Sequence, residues 1–312
     1  MARPTLASVA RSFSVADGRR FRLKDVDPDD TRGLPQSKES ADDVLRDLVA
    51  RIAALQETLY AQDRWGVLLI FQAMDAAGKD SAIKRVFSGI NPQGVQVFSF
   101  KAPSAEELDH DFLWRTTVRL PERGRIGVFN RSYYEEVLVV RVHPEILAAE
   151  RLPDKVVTKR IWQERFEDIN SFERHLARNG YVIRKFFLHV SRKEQAERFL
   201  SRLEEPDKRW KFSMGDVRER ERWSDYMDAY EDAIRSTSQP HAPWVVVPAD
   251  KKWFARLIVA RTVLDALEGL DLHPPEVTEG QERELAAVRA ALGKDAGAPR
   301  RGANGRSATR RR

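Results

Sequence analysis

The stretch GVLLIFQAMDAAGKDSAIKR, residues 66–85, restricts the possible folds more than any other part of the chain. Val67 to Phe71 is an unbroken apolar run, as expected of a strand covered on both faces in a parallel sheet. It passes through a tight loop ending at Gly78-Lys79 into a helix start. Loop amides at a helix N-terminus carry unpaired donors and partial positive charge, so they favour an anion. Lys79 adds a compact cation. Against the pattern G-x-x-x-x-G-K-[ST], the first glycine is Ala73 and the hydroxyl position is Asp80, with Ser81 one place later. The segment reads as a phosphate cradle, with an ordinary βα turn carrying a surface lysine as the competing reading.

Four more strands are expected, at 95–100, 126–129, 181–190 and within 241–250. Helices are expected between them. One opens at Ser40 with Asp43 three places on and carries Val44, Leu48, Ile52, Leu55 and Leu59 on one face. Ser104 with Glu107 heads another that carries Leu108, Phe112 and Val118. Residues 155–178 read as one long helix with Val157, Ile161, Phe166, Ile169, Phe172 and Leu176 on its inner side. Ser191 with Glu194 caps the next, Ser213 and Asp216 the one after, and a last helix runs through Phe254, Ile258, Leu264 and Leu267. The alternation predicts one α/β domain over residues 39–270 with a five-stranded, mainly parallel sheet. Residues 1–38 hold turn signals and read as an irregular arm, and 271–312 as a helix remnant and a disordered basic tail.

Composition removes several classes. No run of about eighteen apolar residues is present, which argues against a membrane span. The absence of cysteine excludes disulfides, thiolate nucleophiles and Cys-ligated metals, and a cytoplasmic location fits. Residues 293–312 carry seven Lys/Arg against one Asp, which equals the whole net charge of +6. The rest of the chain is therefore neutral, and any polyanion site must come from clustered cations.

Three motifs occur in order: AMDAAGKD at 73–80, FNRSYYEEVLVVRVHPE at 129–145 and EEPDKRWKFS at 204–213. Together they resemble the polyphosphate kinase 2 family, from about residue 18 to residue 270. The resemblance implies a three-layer α/β/α P-loop kinase fold with a helical lid at about 191–222. It also implies Mg²⁺-dependent transfer of a phosphoryl group between inorganic polyphosphate and a nucleotide. After Arg131 the chain reads SYYEEVLV, unlike the SWYNRAG-like form associated with diphosphate-preferring members, which favours AMP, with ADP also open.

Phosphoryl transfer requires donor and acceptor held in line and their charge balanced. Lys79 and the backbone of Ala76, Ala77 and Gly78 are assigned to phosphate, with Asp80 and Ser81 beside them. Asp75 would repel phosphate unless a cation lay between, so it is read as the magnesium anchor. Asp80 is either one water removed from that metal or a helix N-terminal charge. Asn130 stands at the end of the third predicted strand, facing the same crevice. Arg131 is the second strong assignment, because a guanidinium can bond two phosphate oxygens and keeps its proton. Glu135 and Glu136 are assigned to the nucleotide, one of them positioning a ribose, the metal or a lid arginine, with helix N-terminal charge as the other reading. Lys84, Arg85, Arg141, Arg192, Arg198, Lys208, Arg209 and Lys211 are offered as a cationic cluster rather than singly. Trp210 and His143 read as structural. The expected partners are polyphosphate, adenine nucleotides with guanine left open, and further copies of the chain in a homo-oligomer. Neither a membrane nor a specific nucleic acid is expected. The alternatives are an ATP-dependent nucleoside monophosphate kinase on the same fold and a nucleic-acid-binding protein using the basic tail.

Overall fold

A computed structural model of the 312-residue chain describes residues 4–34, 38–205 and 214–297. Residues 1–273 form one compact unit and residues from 274 onward a second, whose described part contains the helix Glu279–Gly297.

The first unit is built on a six-stranded sheet: β1 (Ser14–Val15), β2 (Gly66–Gln72), β3 (Val95–Ser99), β4 (Ile126–Asn130), β5 (Tyr181–His189) and β6 (Trp244–Pro248). Their spatial order is β1-β6-β5-β2-β4-β3, and every pairing is parallel except that of β1 with β6. β2 lies at the centre between β4 and β5, with Phe71 opposite both Asn130 and Phe186. All seven of its residues are buried, because helices cover both faces. Each fully buried aliphatic or aromatic side chain in Val67–Phe71 contributes roughly 1.5–3 kcal/mol relative to exposure. The chain leaves β2 toward β3 and β4 on one side and later returns to β5 and β6 on the other. Strand order thus reverses beside β2, the place where open parallel sheets gather ligands at their carboxyl ends.

Helix Lys252–Glu268 packs against Lys38–Gln62, Leu6–Ser12 and Lys79–Val86. Helix Ile161–Arg178 packs on β5, and Trp223–Thr237 packs on it in turn. Helices Arg192–Glu204 and Met214–Glu219 flank residues 206–213, so Lys208, Arg209, Trp210, Lys211 and the expected Ser213 cap lie outside the described residues. None of the described helices is long and apolar enough to cross a membrane.

Several expectations change. The sheet has six strands rather than five, because residues 1–38 supply helix Leu6–Ser12 and the edge strand β1. The helix expected over 155–178 begins only at Ile161; Asp154–Val156 is a separate single turn, and Val157 is exposed. The helix expected after Ser104 breaks into Ala105–Leu108 and Trp114–Thr117, because the Asp111 carboxylate caps the amide of Leu113 between them. The Ser104–Glu107 capping box itself forms, with Ser104 N donating to Glu107 at 2.7 Å. Ser40 lies inside a helix that already starts at Lys38.

Candidate active site

The loop after β2 turns because two residues adopt left-handed backbone, Ala76 at φ +61 and Gly78 at φ +105. Gly78 takes this conformation without a Cβ clash and starts helix Lys79–Val86. The loop is held from outside by Arg198, whose side chain is buried. Its Nη1 donates to the carbonyls of Ala76 (3.1 Å) and Ala77 (2.6 Å), its Nη2 to those of Ala249 (2.6 Å) and Asp250 (2.9 Å), and its Nε to Glu194 (2.7 Å). Every guanidinium donor is therefore engaged with protein. Arg198 thus braces the loop, and although it also lines the active-site cavity, its donors are already taken up by protein oxygens rather than left for the phosphate assigned to it from sequence. Gln195 assists by donating to the Asp75 carbonyl at 2.8 Å.

Lys79 is 8% exposed, and its Nζ lies 3.4 Å from the Ala73 carbonyl. Burial, with Arg131 nearby, holds the ammonium below its usual range, and Asp75, Glu135 and Asp80 only partly offset this. An anion against Lys79 would relieve that tension.

Arg131 follows β4 directly and also has left-handed backbone, φ +66, a conformation costing roughly 1–3 kcal/mol outside glycine. Its amide donates to the Phe71 carbonyl at 2.9 Å, which docks the turn onto the end of β2. The guanidinium then bridges two carboxylates, Nη2 to Asp75 Oδ1 and Nη1 to Glu135 Oε2, each at 3.1 Å. Glu135, foremost, and Asp75 raise its pKa further. Gln72 Nε2 donates to the other Glu135 oxygen at 3.1 Å. Asn130 Nδ2 donates to Asp80 Oδ1 at 2.8 Å, and Ser81 Oγ donates to the Gly78 carbonyl at 3.1 Å.

These groups face a cavity of about 1130 Å³. Of the residues assigned from sequence, Asp75 through Ser81, Lys84, Asn130, Arg131 and Arg198 line it. Four cations not assigned from sequence join them: Lys101, Arg202, Lys252 and Arg256. Lys101 and Lys252 lie just beyond the carboxyl ends of β3 and β6, so the strand-end rule could have found them. Nothing in the local sequence marks Arg256.

Other expected residues are placed elsewhere. Arg141 pairs with Asp232 at 2.6 Å, and Arg85 and Arg192 are exposed and do not line the cavity. Glu136 turns inward beside Arg165 (3.0 Å), and burial, with Glu150 alongside, pushes its carboxyl up to about 8. It is an interior group, unlike Glu135, which stays with Arg131.

The donor set suits Mg²⁺. Among the described residues no three metal-ligating side chains cluster, so a dedicated protein cage is not formed there. Asp75 and Asp80 both face the cavity, and one or two carboxylates with water and phosphate oxygens are what this ion takes.

A sequence-family profile described as polyphosphate kinase 2 matches residues 35–274. An ADP-polyphosphate phosphotransferase of Rhodopseudomonas palustris is 53% identical over 287 residues, spanning 90% of this chain and 98% of that protein. An AMP/ADP-polyphosphate phosphotransferase of Meiothermus ruber is 44% identical over 273 residues, spanning 88% and 98%. The crystal structure of polyphosphate kinase 2 from Arthrobacter aurescens matches with a TM-score of 0.82 and 41% identity, covering 92% of this chain and 100% of that one. With the family profile spanning five of the six strands, the phosphate loop and the Arg131 turn, the chain belongs to the polyphosphate kinase 2 family.

Proposed function

We propose that this protein transfers a phosphoryl group between inorganic polyphosphate and an adenine nucleotide, AMP or ADP, with Mg²⁺. The observation that carries the reading is the charge layout of the main cavity. Lys79, Lys84, Lys101, Arg131, Arg198, Arg202, Lys252 and Arg256 line it, outnumbering the carboxylates of Asp75, Asp80, Glu194, Glu197 and Glu205. That many cations exceed what a single nucleotide needs, whereas a polyanion chain can use them along its length. The relatives named for AMP or ADP and polyphosphate support the same substrates.

In this reading the loop amides and Lys79 bind and orient the phosphates, and Arg131, held at a fixed angle by Asp75 and Glu135, balances charge on the transferring group. Asp75 and Asp80 would hold Mg²⁺, which when bound neutralises phosphate charge. Helices Arg192–Glu204 and Met214–Glu219 act as the lid that excludes water. The protein acts in the cytoplasm as a homo-oligomer.

The test is incubation of the protein with Mg²⁺ and polyphosphate plus AMP, ADP or GDP, with products resolved by chromatography. Phosphorylated adenine nucleotide is the expected product. Absence of any nucleotide product in all three mixtures overturns the reading. Product formed from ATP as donor, but not from polyphosphate, establishes the nucleoside monophosphate kinase alternative.

A further inference from the structure

Directly behind the Arg131 turn lies an ion pair with no exposure to solvent. Lys185 on β5 and Glu173 on helix Ile161–Arg178 are both 0% exposed, with Nζ 2.6 Å from Oε2. Lys185 Nζ also donates to the Tyr134 hydroxyl (2.9 Å) and the Thr237 carbonyl (2.8 Å), which uses all three of its protons. The other Glu173 oxygen accepts from the hydroxyls of Tyr133 (2.8 Å) and Tyr134 (2.9 Å). Trp244 closes the cluster, with its indole N–H on Thr237 Oγ1 at 2.9 Å.

Stability alone does not account for this arrangement. Desolvating a carboxylate and an ammonium is costly, and well-packed apolar residues often serve a core as well or better. What the pair adds is direction. Its two tyrosines come immediately after Arg131 and Ser132 in the chain, and Glu135 follows them. The strained Arg131 turn is thus tied at both ends, to β2 through its own amide and to the core through two hydroxyls.

We infer that Glu173 and Lys185 are positioning residues, which fix Tyr133 and Tyr134 so that Arg131 and Glu135 stand at the angle the transfer requires. The inference rests on the proposed phosphotransfer for its consequence and on the hydrogen-bond network for its geometry.

Tyr133→Phe tests it cleanly. The hydroxyl bonds only Glu173, whose oxygen keeps Tyr134, so the change deletes one tie and leaves no polar atom without a partner. Two readouts are needed. Hydrogen exchange of amides in segment 131–136 is expected to rise about tenfold while β2 stays unchanged, and this measurement requires no turnover. With polyphosphate and AMP or ADP, kcat is expected to fall about tenfold with KM for the nucleotide within threefold, since a displacement of about 1 Å can cost on the order of 100-fold. Glu173→Gln, which removes the ion pair but keeps the side-chain shape, is expected to give a larger fall of the same kind. Unchanged exchange at 131–136 in folded Tyr133→Phe overturns the inference whatever the activity. So does a wild-type kcat. Absence of transfer by the wild-type protein in every substrate mixture would instead sink the phosphotransfer reading and leave the exchange result to decide the anchoring.

Discussion

Lys79 and Arg198 are both buried cations at the phosphate loop, and their surroundings assign them opposite tasks. Lys79 is desolvated and crowded by Arg131, with a single long contact to a carbonyl. A lysine whose folded pKa is depressed destabilises the fold wherever the unfolded chain would carry the charge. Lys79→Met is therefore expected to leave the melting temperature unchanged or slightly raised while kcat drops about 100- to 1000-fold, the scale seen when one charge-stabilising donor is removed. Calorimetry and initial rates on the same sample check both halves; a large loss of stability would mean the lysine is structural. Arg198 has the reverse signature, since all its donors end on protein oxygens. Arg198→Ala orphans four carbonyls and one carboxylate, at a cost of about 2–4 kcal/mol. That corresponds to a fall of roughly 5–10 °C in melting temperature, and activity is lost through the loop. A variant as stable as the parent would return Arg198 to the phosphate-binding set. The pair Glu135 and Glu136 teaches the same lesson in sequence terms. Adjacent residues of a 3₁₀ turn point in directions about a third of a turn apart, so one glutamate meets Arg131 and the other enters the interior. Two identical letters in a row carry no sign of which is which.

Elements were legible where burial imposes a pattern. Strands β2, β4 and β6 are buried along nearly their whole length and appear as apolar runs. The capping chemistry of Ser104 and Ser191 was readable because side-chain oxygens bond amides three residues on. The two-residue strand β1 is too short for any period, and its place is decided by pairing with β6, a contact more than two hundred residues away. Helix periodicity also ran past the true start at Ile161, because Val157 fits the stripe but faces solvent. At the active site, strand ends pointed to Asn130 and Arg131, whereas Arg256 reaches the cavity from inside a helix and only tertiary packing places it. One inter-element tie was invisible to pattern reading. His143 links to helix Met214–Glu219 through Nε2 and Glu219 (2.9 Å), and to Glu145 through Nδ1 (3.0 Å). Burial would lower its pKa, but the two carboxylates outweigh that and raise it, while Glu145 and Glu219 are lowered. The signs give a window. The histidine's contribution is full below its unfolded value of about 6.5 and is lost as pH rises through the higher folded value. The carboxylates' contribution holds above their unfolded value of about 4.5 and is lost in acid. Between pH 6 and 8 the melting temperature of the wild type should thus fall relative to that of His143→Gln. Taking the difference between the two proteins removes Glu136 and the other histidines, which titrate alike in both. Parallel curves would show that the tie does not titrate.

At the scale of the whole molecule the question is which of two basic features meets the polyanion. Residues 293–312 hold the entire net charge of +6, which makes the tail the obvious candidate from composition. The cavity offers a different answer, because a neutral chain can still gather Lys79, Lys84, Lys101, Arg131, Arg202, Lys252 and Arg256 around one depression. The two features predict different dependences on salt and on chain length. Exposed charges are screened over about 8 Å at physiological ionic strength, and Lys84, Lys101 and Lys252 are exposed, whereas the buried Lys79 is screened much less. A chain ending at residue 292 should therefore keep kcat and the KM for polyphosphate within about twofold of the full-length values if the cavity is the binding track. Raising salt from low to physiological strength should raise KM for polyphosphate in both proteins by a similar factor, because the exposed cavity cations Lys84, Lys101 and Lys252 are screened alike in each. If truncation instead raises that KM tenfold or more and removes most of the salt dependence, the tail is the docking element and the cavity serves only the reacting end. If truncation abolishes binding to a generic nucleic acid and leaves transfer untouched, the tail has a separate and purely electrostatic attraction. The comparison needs only steady-state rates at two ionic strengths, with the full-length chain as its own control.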